Sequence, residues 1–578
     1  MVDPVDNPVA PRISRVDPFL MSILRRRFEA IIREMTSTLF RSGRSGVINT
    51  AMDFSCNVTD AKFQSISVAL GLPVHVGAID LIPRAVDRLH GPTLKPGDCF
   101  ANNSGYLGNT HCADFTLCVP VFFEGTIVCY AIARAHFADM GFPKPTTYGP
   151  DSIDMYAEGL MLPCVRIQQD YRDVEPVVAI CKANIRSPDQ FYGDYLACLA
   201  AVRIGEKRLT ELCRKYGRPT ITDFIDDFQD YAERMAASAI RKLPRGTVAK
   251  TVLYDSELPA YPDGIPVCAT LTVDPDEARI EFDLTANIDN VPLGINMTES
   301  TTLACCRMGA LNVLGPDIPR CTGAFRRIDV KLRDGALVGR PRPPAATSSA
   351  TTNVCNLFAS HVHALFAEIG HGLGSAYGSI GLPGSSPVVS GTDSHRSGLP
   401  FVNQILMGHW GGPAVGGNDG WLTYGSGSSQ GMLWQSSVEI VEKQQPIVVD
   451  RLAIRVDSGG AGQWQGGPGS DVIFSVRKDA VRFSINAAAH RHPPPGVAGG
   501  SAGAPTRIHK IGADGGAVEL RNTIDVTLNP GEKLHSLSCG GGGYGAPRRR
   551  DPAVVREQLR EGWISAEFAS ANYGVTDA

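Results

Sequence analysis

His111, Asp114 and His136 are the residues whose types and spacing point most directly to chemistry. They flank a stretch that reads as a hairpin. Phe115 to Phe123 is β-branched and aromatic, Glu124-Gly125 is a turn signal, and Thr126 to Ala135 is again strand-like. A hairpin brings its open ends together, so His111 and Asp114 on one arm meet His136 on the other. With a two-residue loop, Phe123 pairs with Thr126 and Ala113 falls opposite His136. With a three-residue loop, Asp114 falls opposite His136. Directly opposed residues have Cβ atoms roughly 5 Å apart, so either register gathers the three side chains. The register decides which face each one uses. Two imidazoles and one carboxylate are a common divalent-metal set that leaves positions open. Such a metal polarises a carbonyl oxygen or lowers the pKa of bound water. The same spacing also suits polar groups at a strand end, bonded to the backbone.

Other candidates are weaker by spacing. Asp139 lies just beyond the hairpin and is a candidate to orient a ligand, share the metal or move protons. His75 follows a strand-like run ending at Leu72–Gly77 and, alone, reads as a satisfied core histidine. His361 and His363 lie two apart on an expected helix and do not share a face. His490 and His492 precede a proline run and read as loop residues. Cys112 and Cys118 read as buried strand thiols. No G-x-x-x-x-G-K-[ST] segment is present, so a P-loop is absent. Gly540 to Gly545 satisfies G-x-G-x-x-G, but no βαβ unit surrounds it, and a tight glycine turn is the expectation.

The elements that must position these residues read as α+β and multi-domain. The N-terminal half is helical and hairpin-rich; the C-terminal half is glycine-rich and mainly β. Residues 1–16 read as a flexible, proline-rich arm. Asp17-Pro18 opens a helix with an apolar stripe from Phe19 to Leu39. Residues 46–75 read as short strands, with helices near 79–90, 189–215, 222–242, 299–313, 355–370 and 552–561. Strands fill 247–286, with a turn at Asp274-Pro275-Asp276, and most of 437–539. Residues 371–436 read as Gly/Ser-rich loop and short strand. The expected domains are 17–220, which carries the metal site, 221–370 and 371–578.

Composition limits the function classes. The chain has 578 residues, with 55 basic against 59 acidic and a net charge of -4. That balance excludes the basic footprint of a nucleic-acid binder. No apolar run reaches the roughly 18 residues of a membrane span. The N-terminus has no apolar signal-peptide region. Fifteen scattered cysteines without a C-x-x-C pair fit free thiols in a cytoplasmic, reducing compartment.

Several stretches together resemble one family. Asn103-Ser104-Gly105-Tyr106-Leu107-Gly108-Asn109-Thr110-His111-Cys112-Ala113-Asp114 is similar to its N-D-P-Y-x-G-G-T-H-x-x-D segment. Asp53-Phe54-Ser55, Pro73–Gly77, Glu158-Gly159-Leu160 with Pro163, Pro316–Pro319, Asp457–Gly462, Gly540–Gly545 and Tyr573-Gly574-Val575 follow in the family's order. The resemblance spans about residues 17–575 and is to the hydantoinase B/oxoprolinase group. It implies a hetero-oligomer with a hydantoinase A-type subunit that binds ATP on an actin-like fold. It also implies a divalent metal, manganese or zinc, on His111, Asp114 and His136. The family's Asp-Pro is Ser104-Gly105 here, and its second consecutive histidine is Phe137.

Three functions follow as expectations. The first is the B-type subunit of an ATP-dependent hydrolase that opens small cyclic amides, with His75, Asp139 and Glu158 as proton-transfer candidates. The second is a subunit of an acetone- or acetophenone-type ketone carboxylase. The third is a non-catalytic scaffold subunit.

Overall fold

The computed structural model describes residues 14–67, 71–521 and 523–576. The first thirteen residues of the expected arm lie outside the described residues. Its last three are docked: the backbone N–H groups of Arg15 and Val16 donate to the Asp227 carboxylate at 2.7 and 2.9 Å.

Helix Pro18–Ser42 starts where its sequence signals place it. Asp17 Oδ1 accepts from the N–H groups of Phe19 and Leu20, which have no partner within the helix. Leu24, Phe28, Ile31, Ile32, Met35 and Leu39 are buried along one face, whereas Phe19 is exposed. This helix and helix Pro188–Tyr216 cover one face of a seven-stranded sheet.

That sheet is antiparallel throughout. Its strands are β1 (Phe54–Asp60), β2 (Ser65–Ser67), β3 (Cys99–Asn102), β4 (Asp114–Phe123), β5 (Thr126–His136), β6 (Val165–Gln169) and β7 (Arg172–Asp173), in the order β2-β1-β5-β4-β3-β6-β7. The expected hairpin is β4–β5, and its register combines both alternatives. The loop is two residues, with Phe123 opposite Thr126, yet Asp114 faces His136. A bulge reconciles them. Phe122 pairs with Ile127 and Val121 with Cys129, so Val128 is the extra residue that moves the ladder by one.

Alternation then sorts the side chains. Phe115, Leu117 and Val119, with Ala131, Ala133 and Ala135, belong to the core shared with the two long helices. The other face carries Asp114 and Thr116 on β4, opposite His136 and Arg134 on β5, with Ser55 of β1 next to Arg134. Asp53 extends the first row through its carbonyl, which accepts from His136 N–H at 3.0 Å.

The stretch expected as strand over residues 46–75 is only partly extended. Gly46–Asn49 and Pro73–Val76 are short helices. Pro73 sits at the first helical position, where its fixed φ and missing N–H are tolerated, so His75 stands on a helical turn. Helix Glu175–Asn184 is also present where none was expected.

A second sheet, of four strands, spans 246–331, with helices Glu299–Leu314 and Asn353–Ile369 beside it. The C-terminal region holds a four-stranded and a five-stranded sheet. Val389, Phe483 and Ile485 of one share an apolar core with Val472, Phe474 and Leu534 of the other. No helix among the described residues is long and apolar enough to cross a membrane.

Gly540–Gly543 is not the tight turn expected. None of the four has positive φ, unlike Gly545. They form an extended segment enclosed by other backbones. A Cβ at Gly540, Gly541 or Gly542 would stand 1.6, 2.0 or 2.0 Å from the carbonyl oxygen of Ser458, Gly412 or Pro495. Glycine is required there for approach rather than for bending.

Candidate metal centre

Asp114 is the centre of the cluster. It is fully buried, with Oδ1 3.1 Å from His111 Nε2 and 3.4 Å from His136 Nδ1, and Oδ2 3.1 Å from His75 Nε2. Ligand atoms of His111, Asp114 and His136 all lie within 4.8 Å of one another. His75, on its helical turn, therefore belongs to the cluster rather than to the apolar core. Asp53 Oδ1 lies 3.8 Å from the same His75 Nε2.

The surroundings decide which ring nitrogens face inward. Ser348 carbonyl lies 2.7 Å from His111 Nδ1, and a carbonyl only accepts, so that nitrogen carries the hydrogen. His111 Nε2 then faces Asp114 with a lone pair unless it takes a second proton. His136 Nε2 lies 3.0 Å from Thr147 Oγ1, which leaves Nδ1 for the cluster. Tyr148 stacks on both imidazoles, with ring centroids at 5.8 and 5.2 Å, and restricts their rotation. Asn109 Nδ2 donates to the carbonyls of His111 and Asp114, both at 2.7 Å, and shapes the loop that offers them. Thr110 hydroxyl donates to Asp114 Oδ2.

Asp114 Oδ1 has no hydrogen-bond partner although it is buried. A buried carboxylate oxygen left unpaired is expensive. Facing two imidazole nitrogens, it has the donor chemistry of a divalent-cation site, and these residues fit a metal. Burial penalises the charge of Asp114, yet His111 and His75 hold its carboxyl well below the ordinary range. Arg134 adds a buried positive charge on the same sheet face. Its guanidinium donates to Thr116 Oγ1 at 3.0 Å and to the His75 carbonyl at 2.8 Å, and burial pushes its pKa down to about 10.

The remaining candidates lie apart from this group. Asp139 accepts from Arg186 N and Nη1 at 2.7 and 3.2 Å and from Gly141 N at 2.9 Å. It does not line the cavity of about 30 Å³ around the cluster. Glu158 Oε1 accepts from the N–H groups of Thr347 and Ser348, the latter being the residue whose carbonyl holds His111. It thus reaches His111 only through a peptide. His361 is engaged by Tyr377 hydroxyl at 2.6 Å, and His492 by the Asp263 carbonyl at 2.6 Å. Of the two departures, Phe137 packs on Phe115 at 4.7 Å and Phe191 at 5.5 Å, on the helix-covered side of the sheet. Ser104 is buried and does not line the cavity.

Sequence reasoning did not single out Arg134, Tyr148 or the 426–429 serines, which line or support the cavity. Arg134 carried a signal: it lies two residues before His136 and so shares its face. Gly427-Ser428-Ser429-Gln430-Gly431 also has the G-x-S-x-G pattern. It forms turns, not a strand-to-helix elbow, and Ser429 hydroxyl donates to the Ser426 carbonyl at 3.1 Å.

Glu158 yields a testable pH effect. Burial, opposed by the Ser348 and Thr347 hydrogen bonds, raises its pKa from 4.5 to about 7. A carboxyl raised on folding removes stability as pH climbs from its unfolded value to its folded one. Glu158→Gln retains the Oε1 acceptor and abolishes that titration. Its stability relative to wild type is expected to improve by on the order of 3 kcal/mol between about pH 4.5 and pH 8. A difference that stays flat across this range in thermal melts would contradict the assignment.

The family model described as hydantoinase B/oxoprolinase matches residues 17–547. The chain belongs to the hydantoinase B/oxoprolinase family. It is 28% identical to the beta subunit of the caprolactamase of Pseudomonas jessenii over 97% of each chain. It is 27% identical to the B-type subunit of a putative D-/L-hydantoinase of Pseudomonas sp. (strain NS671), over 98% of this chain and 96% of that one. The crystal structure of the ATP-dependent caprolactamase from Pseudomonas jessenii superposes with a TM-score of 0.89 over 98% of this chain and 97% of that one. A nucleotide-free acetone carboxylase structure, 17% identical, shares the fold with a TM-score of 0.86 over 96% of this chain and 79% of that one.

Proposed function

We propose that this chain is the B-type subunit of an ATP-dependent hydrolase of small cyclic amides, working in the cytoplasm with a separate A-type subunit that binds the ATP. In this reading His111, Asp114 and His136 hold a divalent metal, manganese or zinc. The observation that carries it is the buried, unpaired Oδ1 of Asp114 between two imidazole nitrogens. Caprolactamase and hydantoinase are named for cyclic amides, which supports the substrate class. The fifteen unpaired cysteines suit a reducing compartment.

A divalent ion at the cluster supplies Lewis-acid polarisation of a carbonyl or phosphoryl oxygen. The chain's own groups orient and move protons around it. Ser348 and Thr147 fix the two imidazoles. His75 Nε2, between Asp114 Oδ2 at 3.1 Å and Asp53 Oδ1 at 3.8 Å, is the atom placed to hold or pass a proton. Glu158 acts as a positioning residue for the loop that aims His111. Asp139 anchors Arg186.

The test is reconstitution with an A-type subunit. Ring opening of a lactam or hydantoin that needs ATP, a divalent metal and both chains is the expected result. Carboxylation of a ketone with bicarbonate and no ring opening would replace this reading by the ketone carboxylase. Full activity after loss of the three ligand residues would make the chain a scaffold.

A further inference from the structure

A cavity of about 700 Å³ lies beside the metal cluster, behind a shared wall. Pro73 and Gln430 line it, whereas Leu72, Val74, His75, Ser426, Ser428 and Ser429 line the small cavity. Val74 N–H donates to the Ser428 carbonyl at 3.3 Å and ties the two wall segments together. Trp421 and Met432, 60% and 39% exposed, give the large cavity an apolar rim.

Its lining includes a guanidinium that no carboxylate engages among the described residues. Arg320 makes one side-chain hydrogen bond, from Nη2 to Asn312 Oδ1 at 3.0 Å, and no ion pair among the described residues. Burial lowers its pKa, and no acidic neighbour offsets the burial. Asp419 is the carboxylate in the lining, and both its oxygens are held by Arg550, at 2.7 and 2.6 Å. Arginine has donors only, so the amide bonded to it must present oxygen, and the orientation propagates. Asn312 turns Nδ2 to Gln430 Oε1 at 2.7 Å, which leaves the Gln430 Nε2 hydrogens uncommitted. Four guanidinium hydrogens and two amide hydrogens thus have no side-chain acceptor among the described residues, and no free carboxylate is among the described residues that line the cavity. Unlike the metal cluster, this group has the donor chemistry that suits an anion.

We propose that the large cavity binds a small molecule carrying a carboxylate or phosphate on a compact apolar body, with Arg320 as the anion anchor and Gln430 Nε2 as second donor. Its place in catalysis rests on the proposed hydrolase reading: opening a cyclic amide creates a carboxylate, and ATP use creates a phosphoryl group. The binding itself does not depend on that reading.

The test is calorimetric titration of the full chain with inorganic phosphate and with 6-aminohexanoate, in EDTA so that a metal plays no part. Saturable binding of at least one probe is expected. Arg320→Gln should weaken it about tenfold or more, as for loss of a charged hydrogen bond, and Arg320→Lys should retain part of it. Phosphate alone binding would identify a phosphoryl ligand; the amino acid alone, a carboxylate product. No saturable binding to wild type, or equal binding to wild type and Arg320→Gln, would overturn the proposal. If Arg320→Gln does not fold, Gln430→Ala takes its place with the same criterion. Anion binding without ring opening in the reconstituted enzyme would reject the hydrolase and leave this site standing.

Discussion

Purified wild-type chain is expected to retain close to one equivalent of divalent metal, and His111→Ala and His136→Ala are each expected to lose it. Both imidazoles are held from behind, by the Ser348 carbonyl and by Thr147, and both present their other nitrogen to Asp114. Partners one shell out from a metal typically contribute ten- to a hundredfold to affinity or activity, so loss of a ligand should exceed about a hundredfold in product formation. Asp114→Asn is the sharper variant. It preserves side-chain size but removes the negative charge that His111 and His75 stabilise. Elemental analysis beside a thermal melt separates metal loss from unfolding. A wild-type chain that takes up no manganese, zinc or cobalt would refute the ligand assignment.

Gly541→Ala is expected to cause a large loss of stability. The new Cβ would stand 2.0 Å from the Gly412 carbonyl oxygen and 2.6 Å from its carbon. Both are backbone atoms and cannot rotate away. Gly541 N–H donates to Gly467 at 3.0 Å and its carbonyl accepts from Gly460 at 2.8 Å, so the segment cannot shift without breaking pairs. Overpacking a filled core typically costs 1–3 kcal/mol, and a clash with fixed backbone should reach at least ~3 kcal/mol. Gly516→Ala is the control: it is exposed, with its nearest contact the exposed side-chain carboxylate of Asp514 at 3.2 Å. Denaturant titration of the two variants checks this. Equal stability would mean that the glycine segment is looser than its contacts indicate.

These two results concern features that were legible to different degrees. The hairpin was readable because β-branched residues surround one short turn signal, and proximity of His111, Asp114 and His136 followed from either register. The register itself was not readable. It depends on the bulge at Val128 in β5. His75 looked like a core residue because its neighbours are apolar; only the turn at Pro73–Val76 directs it to Asp114. Asp139 looked available because it follows the hairpin, but Arg186, 47 positions away, takes its carboxylate.

By itself the sequence determined the α+β class, the main helices, the metal-type residue set and the family pattern, because each rests on local periodicity or on ordered motifs. Tertiary structure alone decided the register, the inward-facing nitrogens and the extended packing of Gly540–Gly543. It also decided the isolation of Arg320 from any acid among the described residues. Each of these turns on contacts between segments tens to hundreds of residues apart, and no local preference encodes such a contact.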